Sequence, residues 1–320
     1  MMNLLQQALL TDQVELNAPE RQANKQSDNK ELGSRRLENK EPDSQAWHAN
    51  LMLRFAQTQR GVRLVEKQHQ GPLYVQKPFY PEGVEAPHVY LLHPPGGLVS
   101  GDCLSIDINV EHQAHALITT PGAGRLYKSR PDQRLQRQQV TLNLASASSI
   151  EWLPMEAIVF PDANASASNC IHLEENAHVI FWDVLSLGLP ANQKTFDQGS
   201  ISQNIKIYRK QRLLLQERMQ VNDVNRNILE SAAGFAGYQN QGVLIAGPFT
   251  TEPEELLHHL REQFTDCDEP LGITYVGEFL VIRALSKRSD LIRQRFVCCW
   301  SYIRPALLNR PICEPRIWNT

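Results

Sequence analysis

The densest run of residues able to shape a site is His93-Pro94-Pro95-Gly96-Gly97-Leu98-Val99-Ser100-Gly101-Asp102. Its prolines fix φ and its glycines open conformations closed to other residues, so the run is a constrained loop. It carries an imidazole at one end and a carboxylate at the other, and suits a structural turn as well as a site wall. A second glycine-rich run, Pro121-Gly122-Ala123-Gly124-Arg125-Leu126-Tyr127-Lys128-Ser129, ends in Lys-Ser like a phosphate loop. Tyr127 stands where glycine is needed for backbone amides to wrap phosphates, so the run reads as a turn leaving a strand at 114–119.

The ten histidines raise the question of metal ligation. His112 and His115 fall in strand-like sequence, where residues three apart face opposite ways, so they chelate poorly. His258 and His259 are neighbours on a predicted helix, about 100° apart and expected to be exposed. No H-E-x-x-H, two-His-plus-carboxylate cluster or G-x-S-x-G nucleophile turn is present. The six cysteines, Cys103, Cys170, Cys267, Cys298, Cys299 and Cys313, form no Cys-x-x-Cys pair and are expected to be reduced thiols. Local spacing therefore writes no tight metal or catalytic site.

The elements that must position these residues are short and alternating. Leu51, Leu53 and Phe55 share a face, as do Leu104, Ile106, Ile108 and Val110, and then Val140, Leu142 and Leu144. Ile201, Ile205 and Ile207 repeat the pattern around Gln203. A period of two means strands with one buried face, and many of them punctuated by Pro and Gly indicate a mainly β body. Two helices are expected, both late. Thr251-Glu252-Pro253-Glu254 has capping-box spacing ahead of Leu256, Leu257, Leu260 and Phe264. A second helix starts near Ser289, buries Ile292, Phe296, Trp300 and Ile303, and should end or kink at Pro305. Residues 272–285 read as two further strands.

Composition narrows the function classes. The chain has 320 residues, with 32 basic against 35 acidic side chains and a net charge of −3, which argues against a nucleic-acid partner. Mean hydropathy is −0.39, and the best apolar stretch, 179–191, is interrupted by Asp183, so no membrane partner is expected. The start has no basic segment or cleavage site of an export signal, which suits a cytoplasmic protein. Residues 1–46 lack Phe, Trp and Tyr, are crowded with polar residues, and are expected to form a disordered leader before one β-rich domain at 47–320.

Beyond spacing, the chain resembles a known family. Leu92-His93-Pro94-Pro95-Gly96-Gly97 with Gly101-Asp102 is similar to the hallmark loop of the urease accessory protein family UreD, also called UreH. Gly71-Pro72-Leu73, Val75-Gln76-Lys77-Pro78 and Tyr80-Pro81-Glu82-Gly83 precede it in the family's order. Thr119-Thr120-Pro121-Gly122-Ala123, Glu151-Trp152-Leu153-Pro154, Ile158-Val159-Phe160 and Trp182-Asp183 through Leu187-Gly188 follow, and Pro315-Arg316-Ile317-Trp318-Asn319-Thr320 closes the series.

The resemblance implies a mainly β fold, a β-superhelix resembling a right-handed β-helix, with two α-helices near the C-terminus. It implies a maturation factor and not an enzyme, with UreF, the GTPase UreG and apo-urease as partners. No tightly bound cofactor is implied, only Ni²⁺ in transit through a water-filled channel lined, by alignment, by Asp102, Asp183 and Glu217. Weak oxygen donors suit transit better than a Cys/His cage, since a conduit must attract an ion without holding it. Each acid also has a plain alternative: Asp102 capping its loop, Asp183 accepting backbone hydrogen bonds, Glu217 solvated. Departures from the family pattern occur at Ser100, Gly124, Arg125, Ser186 and Leu189. Two rival readings stand beside the conduit: an adaptor without metal transit, and a hydrolase pairing Asp102 with Asp183.

Overall fold

The structure is a computed structural model and describes residues 46–319. The expectation for residues 1–46 therefore lies outside the described residues, apart from Ala46. In chain order the strands begin with β1 (His48–Thr58), β2 (Gly61–Gln70), β3 (Tyr74–Val75), β4 (His88–Leu92), β5 (Cys103–Val110) and β6 (His115–Thr119). They continue with β7 (Gly124–Leu126), β8 (Gln136–Leu144), β9 (Ser149–Trp152), β10 (Ala157–Val159), β11 (Asn164–Leu173) and β12 (His178–Leu187). The series ends with β13 (Ser200–Arg209), β14 (Arg212–Val221), β15 (Asn240–Gly247), β16 (Leu271–Val276) and β17 (Phe279–Ser286).

These strands form two sheets. One has the order β14-β13-β11-β8-β5-β1-β2, and the other β16-β17-β15-β12-β9-β6-β4-β3 with β10 and β7 attached beside β12. From β5 to β13 the chain alternates between the sheets. Each return lays a strand parallel to the previous strand of its own sheet: β1, β5, β8, β11 and β13 in the first, β4, β6, β9 and β12 in the second. Antiparallel additions complete both, β14 on β13 and β15, β17 and β16 on β12.

Burial explains two different sequence textures. First-sheet strands have one face on the core and one in solvent, so β5, β11 and β13 alternate buried and partly exposed residues almost perfectly. The second sheet is covered on both faces, so β12, β15 and β17 read as nearly continuous apolar runs. In β12, Val179, Phe181 and Leu185 point into the core between the sheets, while Ile180, Trp182 and Val184 point outward against the helices. Each such buried side chain contributes about 1.5–3 kcal/mol.

The helices are α1 (Glu254–Gln263) and α2 (Ser289–Leu308). The capping box does not form: Pro253 itself occupies the cap position without a side-chain bond, leaving Thr251 two residues too far upstream to serve the first turn. Glu254 and Glu255 in that turn instead suit the positive end of the helix dipole. The second helix buries Ile292, Phe296, Trp300 and Ile303 as the spacing predicts, and also Cys299 and Arg304. It does not end at Pro305. The last turn continues to Leu308 and closes with the Asn309 N–H donating to the Pro305 carbonyl at 3.0 Å, Asn309 taking a left-handed φ of 50°. Among the described residues no helix is long and apolar enough to cross a membrane, and all six cysteines are free thiols.

Candidate functional site

The His93–Asp102 loop joins β4 to β5 and is pinned to β7. The Leu98 N–H donates to the Arg125 carbonyl at 2.8 Å, and the Tyr127 N–H returns a bond to the Leu98 carbonyl at 3.0 Å. A Cβ at Gly97 would lie 2.5 Å from the Arg125 carbonyl oxygen, so only glycine permits this approach. Asp102 caps its loop, as its plain alternative had it. Its carboxylate accepts the Trp47 N–H at 2.8 Å and the Val99 N–H at 2.9 Å, and so ties the loop's end to the start of β1. Ser100, a departure from the family pattern, is wholly buried and accepts the Arg130 N–H at 2.7 Å.

A cavity of 280 Å³ opens beside this loop, lined by His93, Gly97, Gly124, Arg125, Gln138 and Asp183 among others. The structure thus gathers the loop, the second glycine run and one of the three expected acids. Asp102 is not among the lining residues, but its charge is felt at His93, whose imidazole pKa is lowered by burial and partly restored by Asp102. Asp183 lies on the inward face of β12, between Phe181 and Leu185. Burial pushes its carboxyl up to about 6, with the Gln203 and Asn169 amides and the Val184 backbone N–H pulling the other way. Asn169 donates to it at 3.4 Å across from β11.

Glu217 lies apart, on a groove of 580 Å³ lined also by Gln203, Gln241 and Arg283. Arg283 holds it in a forked pair, Nε to Oε2 at 2.9 Å and Nη2 to Oε1 at 2.5 Å, so Glu217 is ion-paired and not merely solvated. Gln203, on the groove lining, is also close enough to Asp183 to lower its carboxyl pKa. Its carbonyl accepts from Gln241 Nε2 at 2.7 Å on the groove side, while its amide acts on Asp183 in the cavity. Gln203 Nε2 is buried without a hydrogen bond of its own. Gln138, Asn169, Gln203 and Glu217 from one sheet, with Asp183, Gln241 and Arg283 from the other, supply polar side chains of the two recesses, a band that runs from the buried Asn169 and Gln203 out to the exposed Arg283.

Of the remaining departures, Ser186 and Leu189 wall a different recess, beside Lys287 and Asp290 at the start of α2. The histidine pairs hold no shared site, with two corrections to their placement: His112 is in a turn and not a strand, and His259 is half-buried. His112 lies in the turn before β6 with Nδ1 2.8 Å from the Ser146 carbonyl oxygen, whereas His115 is buried. His258 is exposed, but His259 packs edge-on to Tyr302 at 4.5 Å between ring centres, because α1 lies against α2 there.

Sequence reasoning missed a second constellation altogether. Glu151, wholly buried on β9, accepts the Trp300 indole N–H at 2.5 Å and the Arg304 Nε–H at 3.0 Å, and His115 Nε2 lies 3.1 Å from it. Burial alone would raise the Glu151 carboxyl, but His115, Arg304 and Trp300 hold it at about 2. Arg304 also donates to Glu82 at 2.6 Å, and Glu82 contacts His88 Nε2 at the same distance. Only the quoted motifs, with Glu82 and Glu151 in them, and an arginine on the buried face of α2 pointed to it.

The fold is that of a mainly β protein, its strands in two sheets and its two helices packed against the second. Residues 48–319 match the family described as UreD urease accessory protein, and the chain belongs to that family. A protein of Marinomonas sp. strain MWYL1 described as urease accessory protein UreD is 47% identical over 281 residues, covering 86% of this chain and 90% of its own length. One of the same description from Alcanivorax borkumensis is 40% identical over 280 residues, covering 86% and 92%. Another, from Hahella chejuensis, is 37% identical over 284 residues, covering 86% and 91%.

Proposed function

We propose that this chain is a cytoplasmic, non-catalytic urease maturation factor: a scaffold that links the UreF–UreG complex to apo-urease and passes Ni²⁺ along its interior as cargo. The winding of the chain between its sheets is read as a β-superhelix of the right-handed β-helix kind, whose hollow is the path. The observation that carries the reading is the polar band, with Asp183 on the cavity, Glu217 on the groove, and Gln203 on the groove lining close enough to Asp183 to lower its carboxyl pKa. Oxygen and amide donors of this kind attract a divalent cation and release it, as conduction requires. The hydrolase reading loses support because backbone amides occupy the Asp102 carboxylate, which lies outside the cavity lining.

The test is nickel activation of apo-urease reconstituted with this chain, UreF, UreG, GTP and Ni²⁺. Asp183→Ala with Glu217→Ala should leave co-purification with UreF and UreG intact and abolish most activation. Full activation by the double variant in an intact complex would replace the conduit by the adaptor.

A further inference from the structure

Away from the interior path, three side chains remote in sequence converge. Glu82 follows the Tyr80-Pro81 turn, His88 opens β4, and Cys313 lies in the segment beyond α2, yet one ligand atom from each lies within 4.8 Å of the others. His88 is wholly buried and the Glu82 side chain is 6% exposed. On two of these side chains a polar atom, Glu82 Oε2 and His88 Nδ1, is buried without a hydrogen-bond partner. Buried polar atoms left unsatisfied are costly and rare, so a pair of them beside a thiol calls for an occupant. None of the three residues lines the cavity or the groove.

We propose that Glu82, His88 and Cys313 form a binding site for a divalent late first-row metal ion, with Zn²⁺ and Ni²⁺ as the class it accepts. A thiolate, an imidazole and a carboxylate are the donors such ions prefer over Mg²⁺ or Ca²⁺. Three protein ligands leave a fourth position open to water, the arrangement of exchangeable and not of closed structural sites. The surrounding charge is suitable. Glu82 and Glu151 carry two negative charges against the one of Arg304, while Arg310 feels Glu85 as well as this pair. Thiolate formation adds a second net negative charge, which a dication neutralises. Ligation converts the Cys313 S–H to a sulfur–metal bond and releases its proton to solvent. Glu82 is already oriented by Arg304, whose Nη1 also donates to the Pro311 carbonyl, so metal binding would clamp the C-terminal segment to β4.

The test uses the chelator-stripped full chain. Zn²⁺ competition against a chromophoric chelator should show one site, and Co²⁺ should give a thiolate-to-metal charge-transfer band in the near ultraviolet. Cys313→Ser should remove the band and weaken Zn²⁺ binding by at least the roughly 10–100-fold that losing even an outer-shell partner costs, whereas Cys267→Ser should change neither. In case Cys313→Ser fails to fold, alkylation of the unsubstituted chain gives a second reading: Zn²⁺ should protect Cys313 and leave Cys267 reactive. Absence of a thiolate band, equal affinity in Cys313→Ser, or unprotected Cys313 would overturn the site. None of these readouts involves urease activation, so they stand or fall apart from the conduit.

Discussion

Replacing Asp183 by Asn tests the interior path through stability. The side chain keeps its volume and an acceptor for Asn169, but loses its charge. Burial raises the Asp183 carboxyl from 3.8 to about 6 in the folded chain. Between about pH 4 and pH 6 the native protein therefore holds a proton that the unfolded chain has already released. Stability contributed by this group is greatest below that window, falls as pH rises through it, and levels off above. A difference of about 2 units at 1.36 kcal/mol each makes the ionised carboxylate cost about 3 kcal/mol at neutral pH. Asp183→Asn should thus be about 3 kcal/mol more stable than the parent above pH 7 and converge with it below pH 4. Urea unfolding of both proteins at intervals from pH 4 to pH 8 measures the gap directly. A gap independent of pH, or a variant less stable at pH 8, would refute the account of Asp183 as a desolvated acid. On the proposed conduit reading the same variant should lose function in the activation assay, the charge being kept at a cost to stability.

Arg304→Met leaves Glu82 and Glu151 without their shared cation in the core and should destabilise by about 3–5 kcal/mol in chemical unfolding. Trp318→Ala removes a buried indole centred 5.4 Å from Trp182 and 5.8 Å from Trp300, together with its bond to Thr119. It should cost about 3–5 kcal/mol and flatten the near-ultraviolet circular dichroism. Glu217→Gln breaks only a partly exposed pair, so unfolding should shift by less than about 1 kcal/mol while activation falls.

The first sheet was legible because solvent on one face forces alternation: β1, β5, β8 and β13 lie where Leu51, Leu104, Val140 and Ile201 set the period. The second sheet was harder, since cover on both faces erases the period, and β12 reads first as a long apolar stretch interrupted by an acid. That interruption was the signal. Period two in the other strand puts Gln203 in phase with Ile201 and Ile205, so a polar residue on the inward face was already written there. What spacing could not give is the pairing of β12 with β15 and of β15 with β17, which brings Gln241 and Arg283 into the same band. The Glu82–Glu151–Arg304 cluster was illegible for the same reason, its members being separated by up to 222 residues and joined only by tertiary packing.

On the proposed conduit reading, a carboxyl raised to about 6 would be a particular kind of metal ligand. At pH 7 about nine in ten such groups are ionised and one in ten protonated, so a proton still competes for the oxygen that a cation would use. An ordinary surface carboxylate would present no such competition, and a thiolate or imidazole cage would bind too tightly to lose it. Arg125, exposed and lining the same cavity, adds a guanidinium that further disfavours prolonged residence of a dication there. On the proposed conduit reading a dication entering the cavity would displace protons from Asp183 more often as pH falls from 7 toward 6, and transit should slow across that interval. The Asp183→Asn protein, with no proton to displace, should show low activation without this pH dependence. If the parent's activation instead stayed flat from pH 7 to pH 6 under conditions where GTP hydrolysis and urease itself were unaffected, Asp183 would not be on the path the metal takes.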